Sequence, residues 1–291
     1  MVSKKEKGTA VGSQNRTVTP NEAKAALAHC LQLQRPLMMW GAPGIGKSDI
    51  VKQVAEEQKR QVIDIRLPLW EPTDIKGIPY YNSKENNMVW APPAELPTDS
   101  KSTAVIFLDE LNSAAPAVQA AAYQLILNRR VGQYHLPAGV AIVAAGNRDA
   151  DKGVTYRMPA PLANRFVHIE LRVDYEDWMQ WATLHRIHPD VVGYVTFAKQ
   201  DLYDFDPKGS SRSFATPRSW SFVSQLLSDS LPESTLTDLV AGAVGEGLAV
   251  KFMNHRKISG QLPNPSDILS GKVKDLKTKE ISEIYSLTVI L

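Results

Sequence analysis

The segment Gly41-Ala42-Pro43-Gly44-Ile45-Gly46-Lys47-Ser48 constrains the fold of this chain more than any other. It has the spacing G-x-x-x-x-G-K-S. An apolar run, Pro36-Leu37-Met38-Met39-Trp40, precedes it, and a stretch of helical period from Ser48 to Lys59 follows. A strand that turns through glycines into a helix leaves backbone N–H groups pointing into one concavity, at the positive end of the helix dipole. Such a concavity holds phosphate. Lys47 then reaches the β- and γ-phosphates of a nucleoside triphosphate, and Ser48 ligates Mg²⁺. Gly41 to Ser48, together with Asp49, form the expected nucleotide contacts.

The surrounding pattern suits a parallel sheet. Ala104–Leu108 and Gly139–Ala145 are continuous apolar runs, as strands buried on both faces are, and Gln61–Leu67 and Val167–Leu171 read as two more strands. Helical stretches at Pro20–Gln34 and Ala115–Leu127 alternate with them. Beyond Val173 the strand signal stops, and Asp177–Leu184, Pro189–Lys199, Pro217–Leu227 and Glu233–Val250 read as helices. The expected fold is an α/β sandwich with a central parallel sheet, followed by a smaller all-helical lid. The expected division is a flexible polar tail over 1–18, a nucleotide-binding domain over 19–172 and the lid over 173–291. Residues 68–100 carry Pro68, Pro72, Pro79, Pro92, Pro93 and Pro97 with Tyr80, Tyr81 and Trp90, and read as an elaborated insertion. The apolar ending from Tyr285 to Leu291 reads as part of an unfinished element.

Composition narrows the function. The net charge of +2 is nearly balanced, which argues against a dedicated nucleic-acid binder. No apolar run approaches the roughly 18–20 residues that span a bilayer, and no signal-peptide pattern is present. The single cysteine, Cys30, cannot form an internal disulfide and falls on a helix, where a packed thiol is expected. A cytoplasmic protein without a membrane segment is the expectation. His185 and His188 have no third ligand nearby in sequence, so they do not specify a metal site.

Two further strand ends carry chemistry. Val105-Ile106-Phe107-Leu108-Asp109-Glu110 ends in paired carboxylates, which a buried sheet end tolerates only beside a cation or hydrogen-bond donors. Asp109 is expected to hold Mg²⁺ through water, and Glu110 to polarise the attacking water. Val140 to Arg148 is the next buried strand. It ends at Asn147, whose amide can donate to a γ-phosphate while accepting from water.

The order of phosphate loop, Asp-Glu strand, Asn-ending strand and Pro161-Leu162-Ala163-Asn164-Arg165-Phe166 resembles the AAA+ ATPases. Leu125-Ile126-Leu127-Asn128-Arg129-Arg130-Val131-Gly132, Leu136-Pro137 and Thr73-Asp74-Ile75-Lys76-Gly77 are similar to the MoxR-type branch. One departure is Arg129, where that branch often has an acidic residue. The resemblance implies further roles. Arg165 corresponds to an arginine finger that reaches a neighbouring subunit's γ-phosphate, with Arg129, Arg130 and Arg157 as rivals. Arg218, in Ala215-Thr216-Pro217-Arg218, corresponds to a lid arginine that touches the nucleotide phosphates. The implied assembly is a homo-oligomeric ring, a hexamer, that hydrolyses ATP with Mg²⁺ to remodel or activate a protein partner, often one with a von Willebrand factor A domain. The insertion would face the pore or the ring surface. Two other readings stand beside it: a DNA-associated motor or loader, and a nucleotide switch that does not hydrolyse.

Overall fold

The computed structural model of the chain describes residues 16–151, 155–227 and 230–259. A short strand, β1 (Thr17–Val18), leads into α1 (Pro20–Gln32). Thr19 and Glu22 cap α1 reciprocally: the Glu22 N–H donates to the Thr19 hydroxyl, and the Glu22 carboxylate accepts from the Thr19 N–H at 2.8 Å. β2 (Leu37–Trp40) enters the glycine-rich loop, α2 (Lys47–Glu57) leaves it, and β3 (Val62–Arg66) follows. A short helix α3 (Pro72–Lys76) and an antiparallel hairpin, β4 (Ile78–Asn82) and β5 (Asn87–Ala91), occupy the insertion. Next come β6 (Val105–Asp109), α4 (Pro116–Asn128) and a small hairpin of β7 (Arg130–Val131) and β8 (Tyr134–His135). β9 (Ala141–Gly146), α5 (Ala160–Ala163) and β10 (Val167–Leu171) complete the sheet region. The later described elements are helical: α6 (Tyr175–Leu184), α7 (Pro189–Phe197), α8 (Pro217–Leu226), α9 (Glu233–Val244) and α10 (Glu246–Ser259).

Six parallel strands form one sheet in the order β1-β10-β2-β9-β6-β3. The period of two along each strand sorts side chains to two faces. Leu37, Met39, Phe107 and Val143 pack with Leu27, Ile50 and Val54 of α1 and α2. Met38, Ile106, Leu108 and Ile142 pack on the other face with Val118, Ala121 and Leu125 of α4. This is the three-layer sandwich that the apolar runs imply. A third core, centred on Trp178, Tyr194, Trp220 and Phe252, belongs to the helical part. Cys30 is buried in α1, and burial raises its thiol pKa. No helix among the described residues is long and apolar enough to cross a membrane.

Several details differ from the sequence reading. Thr17 and Val18, placed there in the polar tail, pair with Glu170 and Leu171 as an edge strand. Residues 1–15 of that tail, and the apolar ending, lie outside the described residues. The single helix read over Glu233–Val250 is two helices. Gly245 adopts φ +94°, and its N–H closes α9 on the Ala241 carbonyl before α10 starts.

Gly77 links α3 to the hairpin with φ +85° and ψ −171°, a region open essentially to glycine alone. A Cβ there would run into the Ala91 carbonyl oxygen. Gly77→Ala is therefore expected to loosen the hairpin while the central sheet stays intact. Hydrogen exchange should rise over residues 78–91 and stay unchanged over β2, β6 and β9.

Candidate functional site

β2, β9 and β6 are neighbours whose carboxyl ends lie level: Trp40 is paired with Gly146, and Leu108 with Ala144. Everything placed just beyond those ends converges. The Lys47 ammonium donates to the carbonyls of Gly41 at 2.6 Å and Ala42 at 2.8 Å, and to Asn147 Oδ1 at 3.2 Å. Burial lowers its pKa to about 8, against the opposing pull of Asp109. Arg218 and Glu110 are also close enough to shift it. Ser48 Oγ donates to Asp109 Oδ2 at 3.3 Å. Asp109 is 6% exposed, and its other oxygen accepts from the Glu110 N–H at 3.0 Å. Glu110 itself is half-buried and takes φ 56°, a left-handed conformation, just beyond the carboxyl end of β6.

The Ser48 hydroxyl and Asp109 carboxylate are hard oxygen donors on adjacent elements, a pairing that suits Mg²⁺. No group of three or more His, Cys, Asp or Glu side chains is gathered among the described residues. Ser48 and Asp109 would form part of a coordination shell that waters and phosphate oxygens complete.

Asn147 is fixed by a residue the sequence reading missed. Asn112, 1% exposed, accepts from the Asn147 N–H at 3.2 Å and donates to the Asn147 carbonyl at 2.8 Å. A side chain at Gly146 would collide with the Asn112 amide and with Met38. Also unread was a charged network beside it. Arg148 pairs with Asp151 at 2.8 Å and with Glu170 at 3.2 Å, and these bonds raise the Arg148 pKa further. Tyr203, from the helical part, lies close enough to the same Arg148 to feel its charge.

The helical part docks directly on the loop. Thr216 caps α8, and the Arg218 N–H donates to the Gly44 carbonyl at 3.1 Å. Gly44 has φ +75°, and a Cβ there would stand 2.7 Å from Thr216 Oγ1. Between loop, α1, α6 and α8 lies a cavity of about 360 Å³, lined by Gly44, Gly46, Asp49, Trp181, Arg218 and Phe222 among others. That volume is in the range of small-ligand pockets.

Arg165 is not brought to this site. It is exposed and precedes β10, whose first residue, Val167, pairs with Leu37 at the start of β2. It therefore sits at the edge of the sheet opposite the loop, about 10 Å away along the strands alone. Glu170, which could have held it, is taken by Arg148. Among the rival arginines, Arg129 is committed elsewhere: in a left-handed conformation at the end of α4, it donates to the carbonyls of Pro137 at 2.8 Å and Val140 at 2.7 Å. Arg130 and Arg157 are exposed. Of the aromatic residues in the insertion, Tyr80 and Tyr81 are exposed and Trp90 is half-buried.

Residues 36–168, just under half of the chain, match the family model described as ATPase family associated with various cellular activities (AAA). The chain is similar to midasin of Giardia intestinalis, at 29% identity over 181 residues, covering 58% of this chain and 4% of midasin. Among solved structures it is similar to a candidate ATPase of Cytophaga hutchinsonii, with 22% identity, 57% of this chain, 51% of that chain and a TM-score of 0.43. It is also similar to the RuvB Holliday junction branch migration motor of Thermotoga maritima, with 16% identity, 86% of this chain, 74% of that chain and a TM-score of 0.45. The chain thus spans a small part of midasin and about half of the Cytophaga protein.

Asn112→Ala leaves the Asn147 N–H and carbonyl without their buried partner. A loss of about 2–3 kcal/mol in unfolding free energy is expected, measured by urea denaturation.

Proposed function

We propose that this chain is an AAA+ ATPase of the MoxR-type branch. It hydrolyses ATP at the carboxyl ends of β2, β9 and β6. The observation that carries this reading is the convergence of Lys47, Ser48, Asp109 and Asn147 through hydrogen bonds of 2.6–3.3 Å at the phosphate loop. The match of residues 36–168 to the AAA family supports it. Support for the branch comes from Arg130-Val131-Gly132, which run into the β7–β8 hairpin, and from the Thr73–Gly77 segment at α3; Arg129 departs from its pattern.

In this reading the triphosphate lies along Gly41–Ser48, with Lys47 on its β- and γ-oxygens and the nucleoside in the adjoining cavity, beside Asp49. Ser48 and, through water, Asp109 would hold Mg²⁺, which would neutralise charge on those oxygens. Glu110 accepts a proton from the attacking water as its oxygen bonds to the γ-phosphorus and the bond to the β,γ-bridging oxygen breaks. Asn147, locked by Asn112, orients that water. Arg218 follows the phosphates from the lid. Arg165 faces away from its own site and serves that of a neighbour, which makes a ring, a hexamer, the working assembly. The ring remodels or activates a protein partner, such as one with a von Willebrand factor A domain, and works in the cytoplasm.

Two outcomes follow. The hydrolysis rate per protomer should rise with protein concentration, and Arg165→Ala should keep ATP binding while losing at least about tenfold in rate. A rate that does not depend on concentration, with Arg165→Ala unaffected, would remove the shared site. The second outcome concerns pH. Lys47 loses its proton near pH 8 in the free protein, and phosphate oxygens favour the charged form. ATP affinity should therefore be full below that pH and fall above it, with net proton uptake on binding. Calorimetry in buffers of different ionisation enthalpy reads this directly, and Lys47→Ala should abolish the uptake.

A further inference from the structure

The cavity that opens at Gly44 and Gly46 closes against α1 and α6, where Asn21 and Asp177 line its wall. Asn21, exposed in the first turn of α1, is held there by three hydrogen bonds. Its backbone N–H donates to Asp177 Oδ2 at 2.7 Å, and its side-chain Nδ2 donates to Asp177 Oδ1 at 2.7 Å and to Gln180 Oε1 at 3.2 Å. Both amide protons are thus placed on acceptors. Turning the amide over would set its oxygen against a carboxylate and a second amide oxygen, so the chemistry of the partners fixes which atom is which. Asn21 Oδ1 is left as a bare acceptor, with no hydrogen bond to it among the described residues.

On the nucleotide-binding reading of this cavity, we propose that Asn21 determines base specificity. Its Oδ1 accepts from the exocyclic amino group of a 6-aminopurine, while Asp177 and Gln180 act as positioning residues. A 6-oxopurine presents an acceptor at the same place, so two oxygens face each other and neither is satisfied. The other polar groups on the wall do not discriminate in this way. Lys24 offers only donors, which a 6-aminopurine accepts at N1 or N7 and a 6-oxopurine at O6 or N7, the Gln53 amide can turn to suit either, and the Asp174 oxygens are already engaged by the Asp177 N–H and the Arg172 guanidinium. Asp49 lies in the first turn of α2, directly after the phosphate loop.

ADP and IDP test this, because they differ only at the 6-position and the adjoining N1, and neither is turned over. Calorimetric titration of the full chain should give ADP an affinity about tenfold or more above that of IDP. Asn21→Ala should bring the two affinities to within about twofold, chiefly by weakening ADP. If Asn21→Ala weakens both ligands by the same factor and the ratio survives, Asn21 merely ties α1 to α6 and the proposal is wrong. Equal affinities in the unmodified chain overturn the specificity and leave the nucleotide site standing. Failure of both ligands to bind the unmodified chain overturns the nucleotide reading itself, and the specificity with it.

Discussion

The Lys47 ammonium is drawn inward by two carbonyls of its own loop and by the side chain of Asn147, a hundred residues further on. A largely buried cation is unfavourable unless oxygens and an opposite charge surround it. Those groups come from three neighbouring strand ends: β2 leads into the loop, β9 ends next to Asn147, and β6 ends in Asp109. They can meet only if the strands end level, which the register of Trp40 with Gly146 and Leu108 with Ala144 provides. The two apolar layers that clamp the sheet hold that register, since slipping one residue would turn Met38 or Phe107 to the wrong face.

Three bridges tie the helical part to this sheet. The α8 cap rests on Gly44, so close that glycine is needed there on both steric and conformational grounds. Tyr203 reaches Arg148, which is itself held by Asp151 and Glu170. Asn21 grips Asp177 on α6. The first bridge touches the phosphate loop and the third the wall of the cavity beside it. Any displacement of the helical part must stretch at least one of them, so ligand contacts at the loop and the position of the helices are mechanically linked.

The parallel sheet was legible in the sequence because its strands are buried on both faces and read as unbroken apolar runs, Val105–Leu108 and Val140–Ala145 above all. The loop was legible because its glycines and Lys47 are contiguous. What escaped depends on contacts between distant residues. Asn112 looks like any polar residue after a strand; its role exists only because Gly146, far along the chain, leaves room for its amide. Arg148 could be seen, but not that Asp151 and Glu170 would share it. β1 is too short to show a period and becomes a strand only by pairing with β10. Gly245 falls within a helical pattern that tolerates glycine, and the break appears only in its backbone angle.

Glu110 offers the most direct test of the central claim, that this strand end activates water against a bound triphosphate. Glu110→Gln keeps the size and polarity of the side chain and removes its ability to take a proton. Parallel measurements of Mg-ATP binding and single-turnover hydrolysis on this variant should show affinity within about threefold of the unmodified chain and a hydrolysis rate at least about a hundredfold lower. Retained hydrolysis with retained binding would mean that the water is activated elsewhere and that the chemistry assigned to the β6 end is wrong.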